Sequence, residues 1–167
     1  MNISQMLENS NLMVIQAVDN LKEVDWEIPG VCGEWSVKDI IAHLASYERV
    51  VVDVLNTFLG STPTAYSMRW INQPAEFNKA EVEARKYHTA QHVEDEYQDF
   101  QVQATSLLAQ IPEETIPKTG TMPWYKQDCC LADFITMVYE HTCEHCDQII
   151  AFRKKARGEM EKGPTHW

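Results

Sequence analysis

Three histidines, His43, His141 and His145, are the residues of this sequence whose type and spacing best suit chemistry. In a helix each residue advances about 100°, so residues four apart lie on one face with Cβ atoms roughly 6 Å apart. His141 and His145 both fall within about 60° of Val138, on an apolar stripe that continues to Ile149. This register predicts two imidazoles that face a protein core and can converge on one metal ion.

His43 belongs to a second predicted helix, at the edge of an apolar stripe that includes Ile40 and Leu44. An imidazole from a facing helix, added to the pair on the last helix, would form a three-histidine metal site of the kind found in helical bundles. A histidine on an apolar face is, however, often an ordinary core residue held by hydrogen bonds. Spacing alone leaves both interpretations open, although two histidines in register need polar partners among apolar neighbours.

Two other patterns are weaker. His88 and His92 are also four residues apart, but they turn away from the apolar stripe of their helix and lie among charged residues, which predicts a solvated face. Cys143 and Cys146 form a C-x-x-C pattern, but in the middle of a helix rather than at a helix N-terminus, where a thiolate would be stabilised. We interpret the cysteines as ordinary thiols.

Four stretches with a 3.6-residue hydrophobic period position these residues, and no stretch alternates as a full β-strand would. The predicted helices run from Ile3 to Val24, from Ser36 to Leu59, from after Pro74 to Ile111, and from Cys130 to Arg157. Ser36 and Asp39 fit a capping box at the start of the second helix. Because each helix must bury its stripe, we predict an all-α four-helix bundle as one domain over 1–157, with a long connection over 60–74 and a frayed tail over 158–167.

Composition and charge restrict the partners. The chain has 167 residues, 14 Lys and Arg against 25 Asp and Glu, and a net charge of −11. Nucleic acids and anionic membranes are bound through clustered basic residues, so we expect neither as a partner. The N-terminal segment lacks the pattern of a secretory signal, and five cysteines, an odd number, favour free thiols in a reducing compartment. We therefore expect a cytoplasmic protein.

Two motifs resemble those of a known family. The segment Gly33-Glu34-Trp35-Ser36-Val37-Lys38-Asp39-Ile40-Ile41-Ala42-His43-Leu44 resembles the start of the second helix in DinB/YfiT-like proteins. His141, His145, Gln148 and Ile149 resemble the last-helix signature of the same superfamily. The resemblance extends from the first helix to about Arg157.

This resemblance implies that His43, His141 and His145 bind a divalent cation, nickel or zinc, and that the protein is a homodimer. A looser resemblance, carried by Phe77-Asn78 and by Pro123-Trp124-Tyr125, is to the ClbS/DfsB subgroup. Some members of that subgroup protect against a reactive genotoxin by opening its cyclopropane. The resemblance does not extend to a substrate.

These observations lead to a functional hypothesis. Three neutral imidazoles leave coordination positions open, which is typical of a catalytic rather than a structural metal site. We expect a metal-dependent enzyme that acts on a small molecule by thiol transfer or hydrolysis, with a low-molecular-weight thiol as co-substrate, in detoxification or stress response. The alternative is a non-catalytic protein that sequesters a small molecule or a metal.

Further site residues follow from their positions near the histidines. The candidates for orienting the metal ligands are Asp39, Glu144 and Gln148, and the alternative is that each is an ordinary polar residue on a helix surface. The candidate pocket residues are Tyr47, Trp124 and Tyr125, although aromatic packing over the end of the bundle explains Trp124 and Tyr125 equally well.

Overall fold

The computed structural model describes residues 1–162, with side chains through residue 158, and this part of the chain contains helices and no β-strand. The α-helices are α1 (Ile3–Val18), α2 (Glu23–Trp26), α3 (Val37–Thr57), α4 (Ala65–Asn72), α5 (Pro74–Ala84), α6 (Ala90–Leu108) and α7 (Leu131–Lys162). A short 3-10 helix spans Glu113–Thr115. The predicted all-α class is confirmed. No helix in the described range is long and apolar enough to cross a membrane.

The four longest helices, α1, α3, α6 and α7, form the bundle. Helix α3 packs against α6 and α7, and α1 packs against the same two helices. The order around the bundle is therefore α1, α6, α3, α7, so α1 and α3 are diagonal to one another. This order places the helix that carries His43 directly beside the helix that carries His141 and His145.

The start of α3 follows the prediction closely. Ser36 is the N-cap, its hydroxyl accepts a hydrogen bond from the Asp39 backbone N–H, and the Asp39 carboxylate accepts one from the Ser36 backbone N–H. This reciprocal capping satisfies two backbone donors that the helix itself leaves free. Ser36 is buried, so the cap also fixes where α3 enters the core.

Two predictions for the N-terminal half of the chain are wrong: the end of the first helix and the connection over 60–74. The first helix ends at Val18 rather than Val24, because Asn20 adopts a left-handed conformation with φ of 56° and α2 follows as a separate short helix. The predicted connection over 60–74 contains α4, whose N-cap Thr64 accepts from the Ser67 backbone N–H. Burial of Trp70 in the core explains why this polar-looking segment is helical.

The third and fourth predicted helices also differ from the structure. The third is divided into α5 and α6, because Lys38 of α3 donates from its ammonium to the carbonyls of Lys86 and His88 and stabilises a turn there. No proline or glycine marks this break. Helix α7 continues through Gly158 to Lys162, beyond the predicted end at Arg157. The rest of the predicted tail, 163–167, lies outside the described residues.

Candidate metal centre

Helices α3 and α7 bring the three predicted histidines together. His43 lies on α3 and is 2 % exposed, His145 lies on α7 and is 8 % exposed, and His141 is half-buried one turn before it. Among the described residues, these three form the group of His, Cys, Asp or Glu side chains that is close enough to hold one metal ion, with one nitrogen of each within 4.8 Å of the others.

The Nε2 atoms of the three rings face one another. His43 Nε2 lies 3.0 Å from His141 Nε2, and His145 Nε2 lies 3.1 Å from the same atom. Imidazole nitrogens bind zinc at about 2.0–2.1 Å, so two ligands that subtend about a right angle at one ion lie about 3 Å apart. The observed spacing therefore fits shared ligation of a single divalent cation.

Hydrogen bonds alone do not account for both of these close contacts between ring nitrogens. The Oε1 atom of Gln148 lies 2.8 Å from His145 Nδ1 and accepts a hydrogen bond from it. In the neutral ring the proton is then on Nδ1, so His145 Nε2 carries a lone pair. A proton on His141 Nε2 would serve His145, and sharing it with a lone pair on His43 would weaken both bonds, whereas a proton on His43 Nε2 would serve His141 and leave the His145 contact without one. Ordinary hydrogen bonds thus satisfy one of the two close contacts, whereas one cation satisfies both.

Burial keeps the imidazoles neutral, as metal ligands must be. Burial, followed by the nearby His141 and His145 rings, lowers the pKa of His43 to about 2. Burial and His145 lower the pKa of His141 to about 4. Burial also lowers the pKa of His145, and the hydrogen bond that His145 donates to Gln148 and the charge of Glu144 partly offset this effect. The lone pairs therefore remain available at neutral pH without competition from protons.

The three residues expected to orient the ligands differ in what they contact. Gln148 is hydrogen-bonded to His145 as described. Asp39 does not orient His43, because its carboxylate closes the capping box at Ser36, and His43 Nδ1 has no hydrogen-bond partner. Glu144 is exposed and acts on His145 through its charge. Helix spacing cannot distinguish these cases, since the capping role of Asp39 competes with the one predicted.

Aromatic rings surround the imidazoles. Tyr47 stacks on His141 with ring centroids 4.5 Å apart and also contacts His43 at 4.6 Å. Trp35, which was not among the expected pocket residues, has its ring centroid 4.8 Å from that of His43 and 6.5 Å from that of His145. The sequence signals for Trp35 are its place in the segment from Gly33 to Leu44 that resembles the family motif and its position directly before the N-cap of α3.

The other two expected pocket residues lie farther away. Tyr125 stacks on Trp70 at 5.4 Å, and Trp70 in turn contacts Tyr47 at 5.9 Å. Trp124 contacts Tyr125 at 6.4 Å. Neither Trp124 nor Tyr125 makes a ring contact with the three imidazoles. In this structure they pack against each other and against Trp70, and they do not line the histidine site.

An open cleft of about 740 Å³ has Trp35 in its lining, together with Asp39, Lys79, Val82 and Lys86. None of the three histidines lines the cleft, but Trp35 also contacts His43. Both signs of charge are present along the walls, from the lysines and from the acidic residues Glu27, Glu34, Asp39 and Glu83. The volume is within the range of small-molecule sites, about 300–1,000 Å³.

The weaker sequence patterns are not metal sites in this structure. The rings of His88 and His92 stack with centroids 4.1 Å apart and planes within 25°, so their in-plane lone pairs do not point at one another. All five cysteines are free. Burial, with the nearby Cys143 and Asp147, raises the pKa of Cys146 to about 12, which makes its thiolate inaccessible at neutral pH.

Comparison with protein families identifies the class to which this fold and site belong. The family model of the DinB superfamily matches residues 6–149, which is most of the chain. The chain therefore belongs to the DinB superfamily. Among curated proteins, no sequence matches the chain.

A solved structure supports the same fold. The crystal structure of a protein from Streptococcus pneumoniae, a Northeast Structural Genomics Consortium target, superposes with a TM-score of 0.74. The two chains are 12 % identical, and the match covers 92 % of this chain and 91 % of that one. At this identity the likeness shows a shared fold alone.

Proposed function

We propose that this protein is a divalent-metal-dependent enzyme in which His43, His141 and His145 hold the ion, nickel or zinc. The observation that carries the proposal is the convergence of three Nε2 atoms whose two close contacts ordinary hydrogen bonds do not both satisfy. Three protein ligands are also the number found in catalytic zinc sites, where a further position stays open.

The proposed reaction is thiol transfer to an electrophile, or hydrolysis, on a small molecule in detoxification or stress response. The ion would supply Lewis acidity, which lowers the pKa of a thiol or of water that reaches it. The chain's own part is to bind and orient: Gln148 holds the His145 tautomer, and Trp35 packs against His43 and lines the cleft beside it. That cleft is the proposed position of the small molecule, and its mixed charges suit a substrate with polar groups of either sign.

The metal proposal is tested by elemental analysis of protein purified without a metal-affinity tag or chelator. We expect about one equivalent of metal in the wild type and none in His43→Ala or His145→Ala. His92→Ala is the matched control, because His92 belongs to the other pair of histidines and is exposed. Stoichiometric metal in His145→Ala, or a folded wild type that refuses added zinc and nickel, would contradict the proposal.

A second candidate function is sequestration of a small molecule or a metal without catalysis. One observation favours it: in the described residues, no carboxylate is hydrogen-bonded to any of the three imidazoles, so no acid–base partner is positioned at the site. Kinetics with a thiol and an electrophile separates the two functions. Multiple turnovers per protein support the enzyme, whereas a single stoichiometric event supports sequestration.

The proposal also includes an oligomeric state and a cellular location. We propose a homodimer, on the basis of the resemblance to DinB-like proteins described above, and a cytoplasmic location, on the basis of the five free cysteines. Sedimentation equilibrium of the full chain tests the dimer, and a mass of one chain over the micromolar range would contradict it.

A further inference from the structure

The three imidazoles are held in two different ways. Metal-binding histidines usually donate from their second ring nitrogen to a carboxylate, a carbonyl or a water, which fixes both ring orientation and tautomer. His145 follows this rule through Gln148, 2.8 Å away. His43 and His141 do not, because the Nδ1 atom of each is buried and has no hydrogen-bond partner among the described residues.

Aromatic contacts take the place of those hydrogen bonds. The Tyr47 ring lies nearly parallel to His141, with planes 19° apart, and is tilted by 56° against His43. It is the tyrosine that touches both of the imidazoles lacking an Nδ1 partner. Trp35 makes a further contact with His43 at 4.8 Å, with planes 48° apart.

Both aromatic residues are themselves held in place. The backbone of Trp35 exchanges hydrogen bonds with Cys32, donating to its carbonyl at 2.9 Å and accepting from its N–H at 3.3 Å, across a turn in which Gly33 has φ of 58°. Tyr47 is backed by Trp70 at 5.9 Å and by Phe77 at 6.4 Å, both buried. Rings supported in this way restrict how far an imidazole beside them can rotate.

We infer that Tyr47 is a positioning residue for the metal site, holding the ring planes of His43 and His141, with Trp35 as a second contact on His43. The inference rests on the proposed metal site. An aromatic contact, stacked on His141 and tilted against His43, restricts the plane of an imidazole and leaves free which nitrogen carries the proton, whereas a hydrogen bond restricts both. The site therefore has one ligand with a fixed tautomer, His145, and two ligands held by ring plane alone.

The test compares the Tyr47→Phe and Tyr47→Leu variants of the full chain. Phe keeps the ring and loses the hydroxyl, whereas Leu keeps apolar volume and loses the ring. We expect zinc affinity, measured by competition with a chromophoric chelator, to stay within about threefold for Tyr47→Phe. For Tyr47→Leu we expect a loss of roughly 10- to 100-fold, the range seen when an outer partner of a metal ligand is removed.

Two further readouts separate positioning from ordinary packing. The visible absorption of bound Co²⁺ should change in Tyr47→Leu and not in Tyr47→Phe, because that spectrum reports the arrangement of the ligands. Long-range ¹H–¹⁵N NMR of the metal-free protein should show the same His145 tautomer in wild type and Tyr47→Leu, and a shifted one in Gln148→Ala. If Tyr47→Leu does not fold, Trp35→Leu takes its place, with a smaller loss of affinity and a changed Co²⁺ spectrum expected.

Failure of this inference and failure of the metal site are distinguishable. A wild type that binds zinc, with Tyr47→Leu equal to it in affinity and Co²⁺ spectrum, overturns the role of Tyr47 and leaves the metal site intact. A wild type that binds none of zinc, nickel and cobalt overturns the metal site and the positioning role together.

Discussion

Two polar clusters are buried on different sides of the same helix. His43 of α3 meets the imidazoles of α7, whereas Glu48, five residues later and 1 % exposed, lies beside Tyr97 and Gln101 of α6. Burial keeps both α3 groups neutral, since it lowers the pKa of His43 to about 2 and raises the pKa of Glu48 to about 8. In both clusters, burial of the ionisable group is the largest cause of the pKa shift.

The difference lies in what the neutral groups present to their neighbours. The three imidazoles direct Nε2 atoms at one another, whereas Glu48 keeps its proton, its Oε2 has no hydrogen-bond partner, and it belongs to no group of converging metal donors in the described structure. A perturbed pKa in a core therefore does not by itself identify a functional site. Convergence of ring nitrogens, which depends on ring orientation, makes the distinction here.

The largest effect expected is on stability with and without metal. A ligand present at 1,000 times its dissociation constant stabilises the folded state by about 4 kcal/mol, which corresponds to about 8–16 °C in melting temperature for a chain of this size. We expect zinc or nickel to produce this shift in the wild type and none in His43→Ala, measured by calorimetry. An equal shift in both would place the bound ion outside the histidine cluster.

The next effect concerns the Glu48 cluster and pH. The folded state keeps the Glu48 proton up to about pH 8, whereas the unfolded chain releases it near the ordinary value of 4.5. The unfolded state therefore binds fewer protons in this interval, and the free energy of unfolding falls as pH rises through it. We expect a fall of roughly 2–3 kcal/mol, less than the full shift implies because an ionised carboxylate draws water into the core.

Urea unfolding of wild type and Glu48→Gln at pH 5, 7 and 9 measures this effect. The variant has no group to titrate at this position, so its free energy of unfolding should fall less than that of the wild type over the same interval. Parallel pH profiles for the two proteins would show that Glu48 does not hold its proton in the folded state.

A smaller effect is expected for Gln148, which among the described residues is the side chain hydrogen-bonded to the imidazole cluster. Gln148→Ala leaves His145 Nδ1 without its acceptor, so we expect zinc affinity to fall about tenfold, or about 1.4 kcal/mol. Calorimetric titration measures it, and Gln148→Glu, which keeps an acceptor oxygen, is the matched control. Equal losses in both variants would contradict the role of the acceptor.

The smallest effect is expected for the second pair of histidines. His92 is exposed and stacks on His88, and its substitution removes no buried group. His92→Ala should change the free energy of unfolding by less than about 0.5 kcal/mol and leave the metal content unchanged. A loss of metal in this variant would contradict the contrast between converging and stacked imidazoles.

The amino-acid sequence by itself determined the features that depend on neighbours along the chain. The capping box at Ser36 and Asp39 and the shared face of His141 and His145 follow from helix geometry, which repeats regardless of the rest of the fold. The all-α class follows similarly from hydrophobic periodicity. The break between α5 and α6 does not, because Lys38 of α3 makes the stabilising contacts from about fifty residues away.

Tertiary structure alone decided which side chains meet. Helix order around the bundle places α3 beside α7, and only then does His43 reach the pair on α7. The same packing brings Tyr47 and Trp35 against the imidazoles, while the local cap at Ser36 occupies Asp39. Periodicity specifies which face of each helix is buried, but not which neighbour covers it, because any apolar face of similar shape satisfies the same hydrophobic requirement.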